Sequence, residues 1–413
     1  MPAKTQNVYL GRVGRFGMIE LKANAFDMAT AVPAPAAPAR WAAPPAVRER
    51  FANGLDPAFL AEWQDLAGTA SEPKCFQEPW FVAAGLEHLT GDRDIRLAEV
   101  RDGGLIGVIP LCVRGDYGRL PAAHVRNWRH HNDFLGTPLV RKGRESDFWR
   151  SLLGHLDRSD WAPGFLHING LLELGPVHRG LVEAASELGR PVPIVKRRIR
   201  AALASSLSPE EYLETTVRKK KRKELKRLAN RLAELGMPTY RKWSAADDLD
   251  PWCDSYLALE AAGWKGRAGS ALAACPRTDA FFRKAMSGAA AAGRLQIRSL
   301  DLDGRPIAML INFLTPPGGF SFKIAYDEAY SRFSPGVLLQ LDNLDLLERD
   351  DIEWMDSCAA ENHPMIDSLW GERRSIVRLS VPLAGVRRRL SFAGWRAIEA
   401  GWASGKQMLG RPR

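Results

Sequence analysis

Two hydrophobic periods run along this chain, and the changes between them mark its elements. Ile95 to Val100 is a strand-like run, Asp102-Gly103-Gly104 is a turn signal, and Leu105 to Val113 is a second apolar strand. Residues 144–157 have the spacing of a helix, Phe165 to Asn169 that of a short buried strand, and Pro191 to Val195 leads into the second half. That half opens on Ser208-Pro209-Glu210-Glu211, a capping-box sequence with serine as N-cap, proline at the first helical position and glutamate three residues after the cap. Leu213, Val217, Leu225, Leu228, Leu232 and Leu235 follow at helical spacing, so one helix is predicted up to Gly236. Leu295 to Leu300 and Pro306 to Leu314 read as strands joined through Asp303-Gly304. Pro316-Pro317-Gly318-Gly319 then turns the chain into Phe320 to Tyr326, completing an antiparallel meander. A helix from Ser334 to about Glu348 and strands at Ile352 to Met355 and Ile376 to Val381 complete the pattern.

A shift of 201 residues overlays Asp102-Gly103 on Asp303-Gly304 and Gly107 on Ala308, with apolar strands beside both turns and a helix and a strand after them. The reading is a duplicated α/β unit. The stretch 28–46 is rich in alanine and proline and cannot build a core. The expected organisation is a flexible leader over 1–50, a first module over 51–205, a second over 206–385 and a basic amphipathic tail over 386–413.

Composition narrows the class. The 413 residues exceed one ordinary core, and 46% apolar with 26% charged residues is a globular balance. No run approaches the roughly 20 apolar residues of a membrane span, and the N-terminus lacks a secretory pattern, so a cytoplasmic location is expected. Five scattered cysteines form no C-x-x-C pair, and the His130–His131 pair has no second ligand cluster at metal spacing. Reduced thiols and no metal are therefore expected. The net charge of +10 is concentrated: Arg218 to Arg231 holds nine basic residues against Glu224 alone. Such a run reads as a solvated helix face, a patch near bound phosphates or, more sharply, a site for RNA. At the end of the chain Phe392, Trp395, Ile398 and Trp402 share one side of a helix, with Arg387, Arg388, Arg389, Arg396 and Lys406 around it. That pattern suits either peripheral contact with an anionic membrane or an aromatic stripe packed on the core.

The chemistry centres on Phe320 to Leu347. A strand ends, a short polar loop turns, and a helix begins at Ser334-Pro335-Gly336. With serine as cap, the amides of Gly336, Val337 and Leu338 are expected to point outward, with Arg332 just upstream, as a seat for a pyrophosphate. The same residues also read as an ordinary helix start with Val337, Leu341, Leu344 and Leu347 in the core.

The order meander, loop, helix resembles the coenzyme A-binding core of the GNAT acyltransferases. Glu260-Ala-Ala-Gly-Trp264-Lys265-Gly266, Lys323-Ile-Ala-Tyr326-Asp327 and Tyr330-Ser-Arg-Phe-Ser334-Pro335-Gly336 resemble the cellulose-biosynthesis CelD/BcsL type, as does the basic helix Val217 to Leu225. The chain is also similar to FemAB-type aminoacyl transferases, which pair two GNAT-like modules. It departs from the common Arg/Gln-x-x-Gly-x-Gly/Ala signature in having Arg332-Phe-Ser-Pro335-Gly336-Val337. The resemblance implies an α/β fold of two GNAT-like modules in tandem, with mixed, largely antiparallel sheets flanked by helices. It implies acetyl-CoA as acyl donor, held by Lys323, Tyr326, Arg332, Ser334, Gly336, Val337 and Leu338, with oxyanion donors from the backbone near Lys323 to Tyr326. The first module is then a structural partner or substrate wall. His363 is the expected base, oriented by Asp356, although it also reads as a loop histidine beside a proline; Glu260 is the second candidate, with Trp264 and Lys265 as the acceptor wall. Cys358 could serve as a nucleophile, but nothing around it argues for thiolate activation. The implied function is an N- or O-acyltransferase acting on a sugar or polysaccharide precursor in envelope or exopolysaccharide synthesis. The rivals are an aminoacyl-tRNA-dependent transferase and a non-catalytic scaffold of a polysaccharide-synthesis complex.

Overall fold

The structure, a computed structural model, describes residues 44–51, 54–91 and 93–408, with side chains as far as 401. The first module runs β1 (Ala46–Phe51), α1 (Pro57–Gly68), α2 (Pro79–His88), β2 (Arg96–Asp102), β3 (Gly104–Arg114), β4 (His124–Asn127), the two-residue β5 (Leu139–Val140), α3 (Glu145–Arg158), β6 (Phe165–Leu172), α4 (Pro176–Glu187) and β7 (Ile194–Leu203). Helices α5 (Pro209–Thr216) and α6 (Lys219–Ala233) lead to β8 (Pro238–Lys242), α7 (Asp250–Ala262), the single-turn α8 (Trp264–Arg267) and α9 (Pro276–Ala291). The meander β9 (Leu295–Leu302), β10 (Arg305–Thr315) and β11 (Gly318–Tyr326) follows, then α10 (Pro335–Asp342), β12 (Trp354–Asp356), β13 (Glu372–Pro382) and α11 (Val386–Met408).

All thirteen strands belong to one sheet, in the order β1-β2-β3-β4-β6-β13-β7-β12-β11-β10-β9-β8, with β5 beside β3. The order reads the same from both ends once β1 is matched with β8, β2 with β9, β3 with β10, β4 with β11, β6 with β12 and β7 with β13. The duplication is therefore real at the level of topology, with a pseudo-twofold axis between β7 and β13. The last strand of each module is exchanged. β13 pairs with β6 of the first module, from Ile376 opposite Leu172 to Pro382 opposite Phe165, while β7 pairs with β12 of the second. The two exchanged strands pair with each other, from Glu372 opposite Ala202 to Leu379 opposite Ile194.

Burial follows from this layout. On one face α3 presents Phe148, Trp149, Leu152, Leu153 and Leu156 at helical spacing; with α4 they cover Leu166, Ile168 and Leu171 of β6 and Val377, Leu379 and Val381 of β13. On the other, Phe76 and Phe81 from the first module enter one core with α7, α9 and Phe320 and Phe322 of β11. The outer strands β1 and β8 are short and carry Arg48, Glu49, Arg50, Arg241 and Lys242, which disfavours pairing with another sheet edge.

Several expectations need correction. Residues 46–50 are not leader: β1 pairs with β2 over its whole length, held by ion pairs Arg50–Glu99 and Glu49–Arg96. The rest of the expected leader, 1–43, lies outside the described residues. The helix expected over 208–236 keeps its capping box but breaks at Val217, whose extended backbone separates α5 from α6 so that Tyr212 and Leu225 reach the same core. The helix expected over 334–348 is α-helical only to Asp342 and finishes as a 3₁₀ stretch. In α11, Phe392 is buried against Phe165 and Trp395 packs beside it, so these aromatics dock on the first module; the side chain of Trp402 lies outside the described residues. Among the described residues no helix is long and apolar enough to cross a membrane.

Because β13 completes the first module's core, Leu379→Ala should cost about 2–4 kcal/mol and lower the stability of both modules in one cooperative transition. Denaturant unfolding followed by tryptophan fluorescence and circular dichroism checks this; two separated transitions would contradict it.

Candidate active site

The second module has a gap between parallel strands that the first has closed. Gly318 to Phe320 of β11 pair with Trp354 to Asp356 of β12, and beyond them the strands part. The pairing is close enough that a Cβ on Gly318 would meet the Trp354 ring at 2.0 Å, so only glycine lets that ring lie across the strand. The register of β10 and β11 shifts at Ile311/Asn312, leaving Phe322 as the extra residue of a bulge. The bulge puts two consecutive side chains on one face: Phe322 packs in the core with α7 and α9, and Lys323 lies beside Glu260. Ile324 and Tyr326 face α10, packing with Leu338 and Leu339.

At the start of α10 the cap works differently from the sequence reading. Ser334 is left-handed (φ 53°, ψ 52°) and its side chain makes no cap bond; instead its carbonyl accepts from the amides of both Val337 and Leu338. Two of the three amides expected to be open are thus engaged. Gly336 remains, abutting the β11 end: a Cβ there would lie 3.4 Å from Ile324 and 3.5 Å from Tyr326. Arg332 is exposed and stacks on Phe333 at 4.7 Å. The structure therefore groups Tyr326, Arg332, Ser334 and Gly336 at the end of the parted strand.

The expected acceptor wall is also assembled there. Glu260, Trp264 and Lys265 line one small cavity with Ala325 and Tyr326. Glu260 is buried; Oε1 accepts from Lys265 Nζ at 2.8 Å and Oε2 from the Leu272 amide at 2.8 Å. Burial pushes its pKa up, but Lys265, Lys323 and the Leu272 amide outweigh that and hold it below the usual carboxylate range. A carboxylate so engaged positions the turn at Trp264–Lys265 and is a poor base. Burial pushes Lys323 down to about 8 against the pull of Glu260, with Lys265 adding to the shift.

Asp356 does not orient His363. It is fully buried, pairs with Arg200 at 2.6 Å, faces Arg374 at 3.7 Å and accepts from the Cys358 amide at 2.9 Å. His363 is half-buried on the segment after β12, and its Nδ1 has no partner among the described residues. Burial, with Asp356 adding, raises the Cys358 thiol well above its ordinary value, which removes it as a nucleophile near neutral pH.

In the first module the matching gap between β4 and β6 is bridged by Asn127. Its Nδ2 donates to the Asn169 carbonyl at 3.1 Å and to Gly136 at 2.7 Å, and its Oδ1 accepts the Asn169 amide at 2.9 Å. The loop after β4 serves the seam instead: Phe134 packs on Phe322, His130 on Phe281, and Arg200 donates to the Phe134 carbonyl. Asp133 in this loop is entirely buried and pushed up to about 6 by burial, opposed by Arg129.

Residues 219–364 match the sequence model of a family described as an acetyltransferase (GNAT) domain. Among solved structures, the chain is similar to FemX (TM-score 0.51, 12% identity, 77% of this chain and 95% of that one). It is also similar to a conserved protein of unknown function from Bacteroides thetaiotaomicron VPI-5482 (TM-score 0.50, 10% identity, 79% and 97%). The second module has the GNAT fold, and the first repeats its strand order. A tandem GNAT protein from the clavulanic acid biosynthesis pathway is also similar, at TM-score 0.43, 18% identity, and 82% and 99% coverage. A comparison with curated proteins gave no significant match.

Sequence reasoning missed the buried charges at the seam, Lys74, Asp133 and Arg200, and the partly buried Arg374. A signal existed in Arg200, which sits in the apolar run Ile199 to Leu203 of β7. Asp356→Ala should cost about 3–5 kcal/mol, because it leaves Arg200 and Arg374 buried without a counter-charge. Urea titration of the variant measures this; a loss below about 1 kcal/mol would show that the pair is dispensable.

Proposed function

We propose that this GNAT-fold transferase moves an acyl group, acetyl from acetyl-CoA, onto an amine or hydroxyl, and that the second module carries the reaction. The observation supporting this most directly is the asymmetry of the two gaps. Among the described residues, the β11–β12 gap has no side chain bridging it as Asn127 bridges the gap of the first module. The helix that follows, α10, has Gly336 in its first turn and the exposed Arg332 upstream, whereas α3 of the first module starts at Glu145. The parted strand offers backbone groups to the pantetheine arm and amides to the developing oxyanion. The α10 start, with Gly336 and Arg332, takes the pyrophosphate. Trp264 and Lys265 then border the acceptor. The proton of the acceptor passes to Lys323, whose lowered pKa leaves much of it neutral near pH 8, while the carbon–sulfur bond breaks and the thiolate leaves. A sugar or polysaccharide precursor as acceptor rests on the CelD/BcsL-type resemblance.

One observation favours a second reading, transfer from an aminoacyl-tRNA. Helix α6 packs against Glu328–Phe333, and its exposed Lys219, Lys220, Lys223, Lys226 and Arg227 make no ion pair among the described residues, a face suited to a phosphate backbone. Calorimetry with acetyl-CoA, CoA and deacylated tRNA separates the two, since each reading requires binding of its own donor.

Two variants test the assignment further. Gly336→Val should fold but lose at least tenfold in CoA affinity, since the branched side chain crowds Tyr326 and the phosphate approach; wild-type affinity would move the site elsewhere. The wild-type rate should rise with pH through about 8, as Lys323 loses its proton and becomes able to accept one. Lys323→Met should flatten this profile and slow turnover by roughly 10²–10⁴-fold with CoA affinity little changed. An unchanged profile, with a slow His363→Ala variant, would return the role to His363.

A further inference from the structure

A cavity of about 400 Å³ lies where β6, β7, β12 and β13 meet, away from the α10 start, and falls within the range of small-molecule sites. Its walls are largely apolar, with Phe320, Leu135 and the Trp354 ring, but five ionisable residues line it: Glu72, Lys74, Glu372, Arg373 and Arg374. The Glu372 carboxylate accepts from the Tyr212 hydroxyl and the Ala204 amide, and Arg373 donates to the Trp370 carbonyl, which leaves Glu72, Lys74 and Arg374 as the groups open to a ligand. The Arg374 guanidinium lies over the Trp354 ring, 3.7 Å from its centroid, with its Nε 3.7 Å from Asp356, yet its Nη1 is buried without a partner among the described residues. Glu72 reaches the same space over Gly175, where a Cβ would strike its Oε1 at 2.5 Å. That oxygen accepts the Val177 amide at 3.0 Å, while Oε2 is buried and unpartnered. Lys74 is fully buried and donates only to backbone carbonyls, Glu72 at 3.1 Å and Pro138 at 2.9 Å. One ammonium without a carboxylate partner among the described residues, one guanidinium that reaches Asp356 only at 3.7 Å and one carboxylate with a free oxygen thus border one cavity. Buried polar atoms are ordinarily satisfied, and here the unsatisfied donor and acceptor are both lining residues of the same void.

We propose that this cavity, which borders β11 at Phe320, binds the anionic end of an acceptor whose reacting group lies further along β11 at Trp264 and Lys265: a carboxylate or phosphate seats on Arg374 beside Lys74, with a hydroxyl or ammonium of the same molecule donating to Glu72. The identification as acceptor rests on the transferase reading; the binding site does not. The apolar walls and Trp354 take the carbon skeleton. The rigid stacking of Arg374 means that little side-chain freedom is lost when the anion arrives.

Calorimetry without any acyl donor tests this, with glucosamine 6-phosphate, L-glutamate and inorganic phosphate as probes on the full chain. The amine-bearing probe that binds shows whether phosphate or carboxylate is preferred, and it should bind more tightly than inorganic phosphate. Arg374→Gln should weaken it by roughly 10- to 100-fold, the loss expected for one charge-assisted contact. Because Arg374 also contacts Asp356, Ala204→Trp provides a second variant that fills the cavity from its rim and leaves every charge in place; it should abolish binding while melting like the wild type. No binding by either amine-bearing probe, equal binding of inorganic phosphate, or undiminished binding in either folded variant overturns the proposal. If these probes bind while acetyl-CoA and tRNA do not, the transferase reading falls and the subsite stands.

Discussion

The pairing of β7 with β13 is the constraint on which the rest of the molecule depends. Each strand ends one module in sequence and completes the other in space, so neither module can close its sheet alone. Val377, Leu379 and Val381 are carried by the second half of the chain but fill the core of the first. Such an exchange couples the two modules more tightly than a surface contact between separate domains, because separating them would expose strand edges as well as apolar side chains. A rigid seam is also what a transfer between two bound molecules needs, since donor and acceptor must be held in register.

A symmetric frame was then made asymmetric by a few side chains. In the first module one amide, Asn127, bridges the parallel strands, and the loop that would face a phosphate is spent on packing Phe134 and His130 against the second module. In the second the gap stays open, because β12 stops at Asp356 and the carboxylate turns inward to Arg200. The closed gap of one module thus supports the open gap of the other. The charges of the seam are part of the same arrangement: in a largely apolar interior they are tolerated where partners lie within reach, as for Arg200 and Asp356, and an unpartnered atom beside a cavity is open to water or to a ligand.

Much of the second module was legible in the sequence, for reasons that are local. The Ser208 capping box and the turns at Asp102-Gly103 and Asp303-Gly304 depend on residues a few positions apart, and the structure contains them as read. Glu260, Trp264 and Lys265, read together through resemblance to a known arrangement, lie on one cavity with Tyr326. What failed was whatever depended on partners distant in the chain. Ser334 was expected to cap through its hydroxyl, but a left-handed backbone hands that task to its carbonyl. Asp356 was expected to serve His363, but the nearest cations, Arg200 and Arg374, come from the exchanged strands.

The sequence by itself determined the strands beside the two Asp-Gly turns, the capped start of α5, the duplication and the concentration of charge in one helix, because these are properties of neighbours along the chain. Only the tertiary structure decided that the last strands are exchanged, that Lys323 is buried far enough to titrate near 8, that one gap is open and the other bridged, and that Glu72 and Arg374 meet at one cavity. Burial and long-range pairing set those properties, and a residue's spacing along the chain carries no record of which distant groups will surround it.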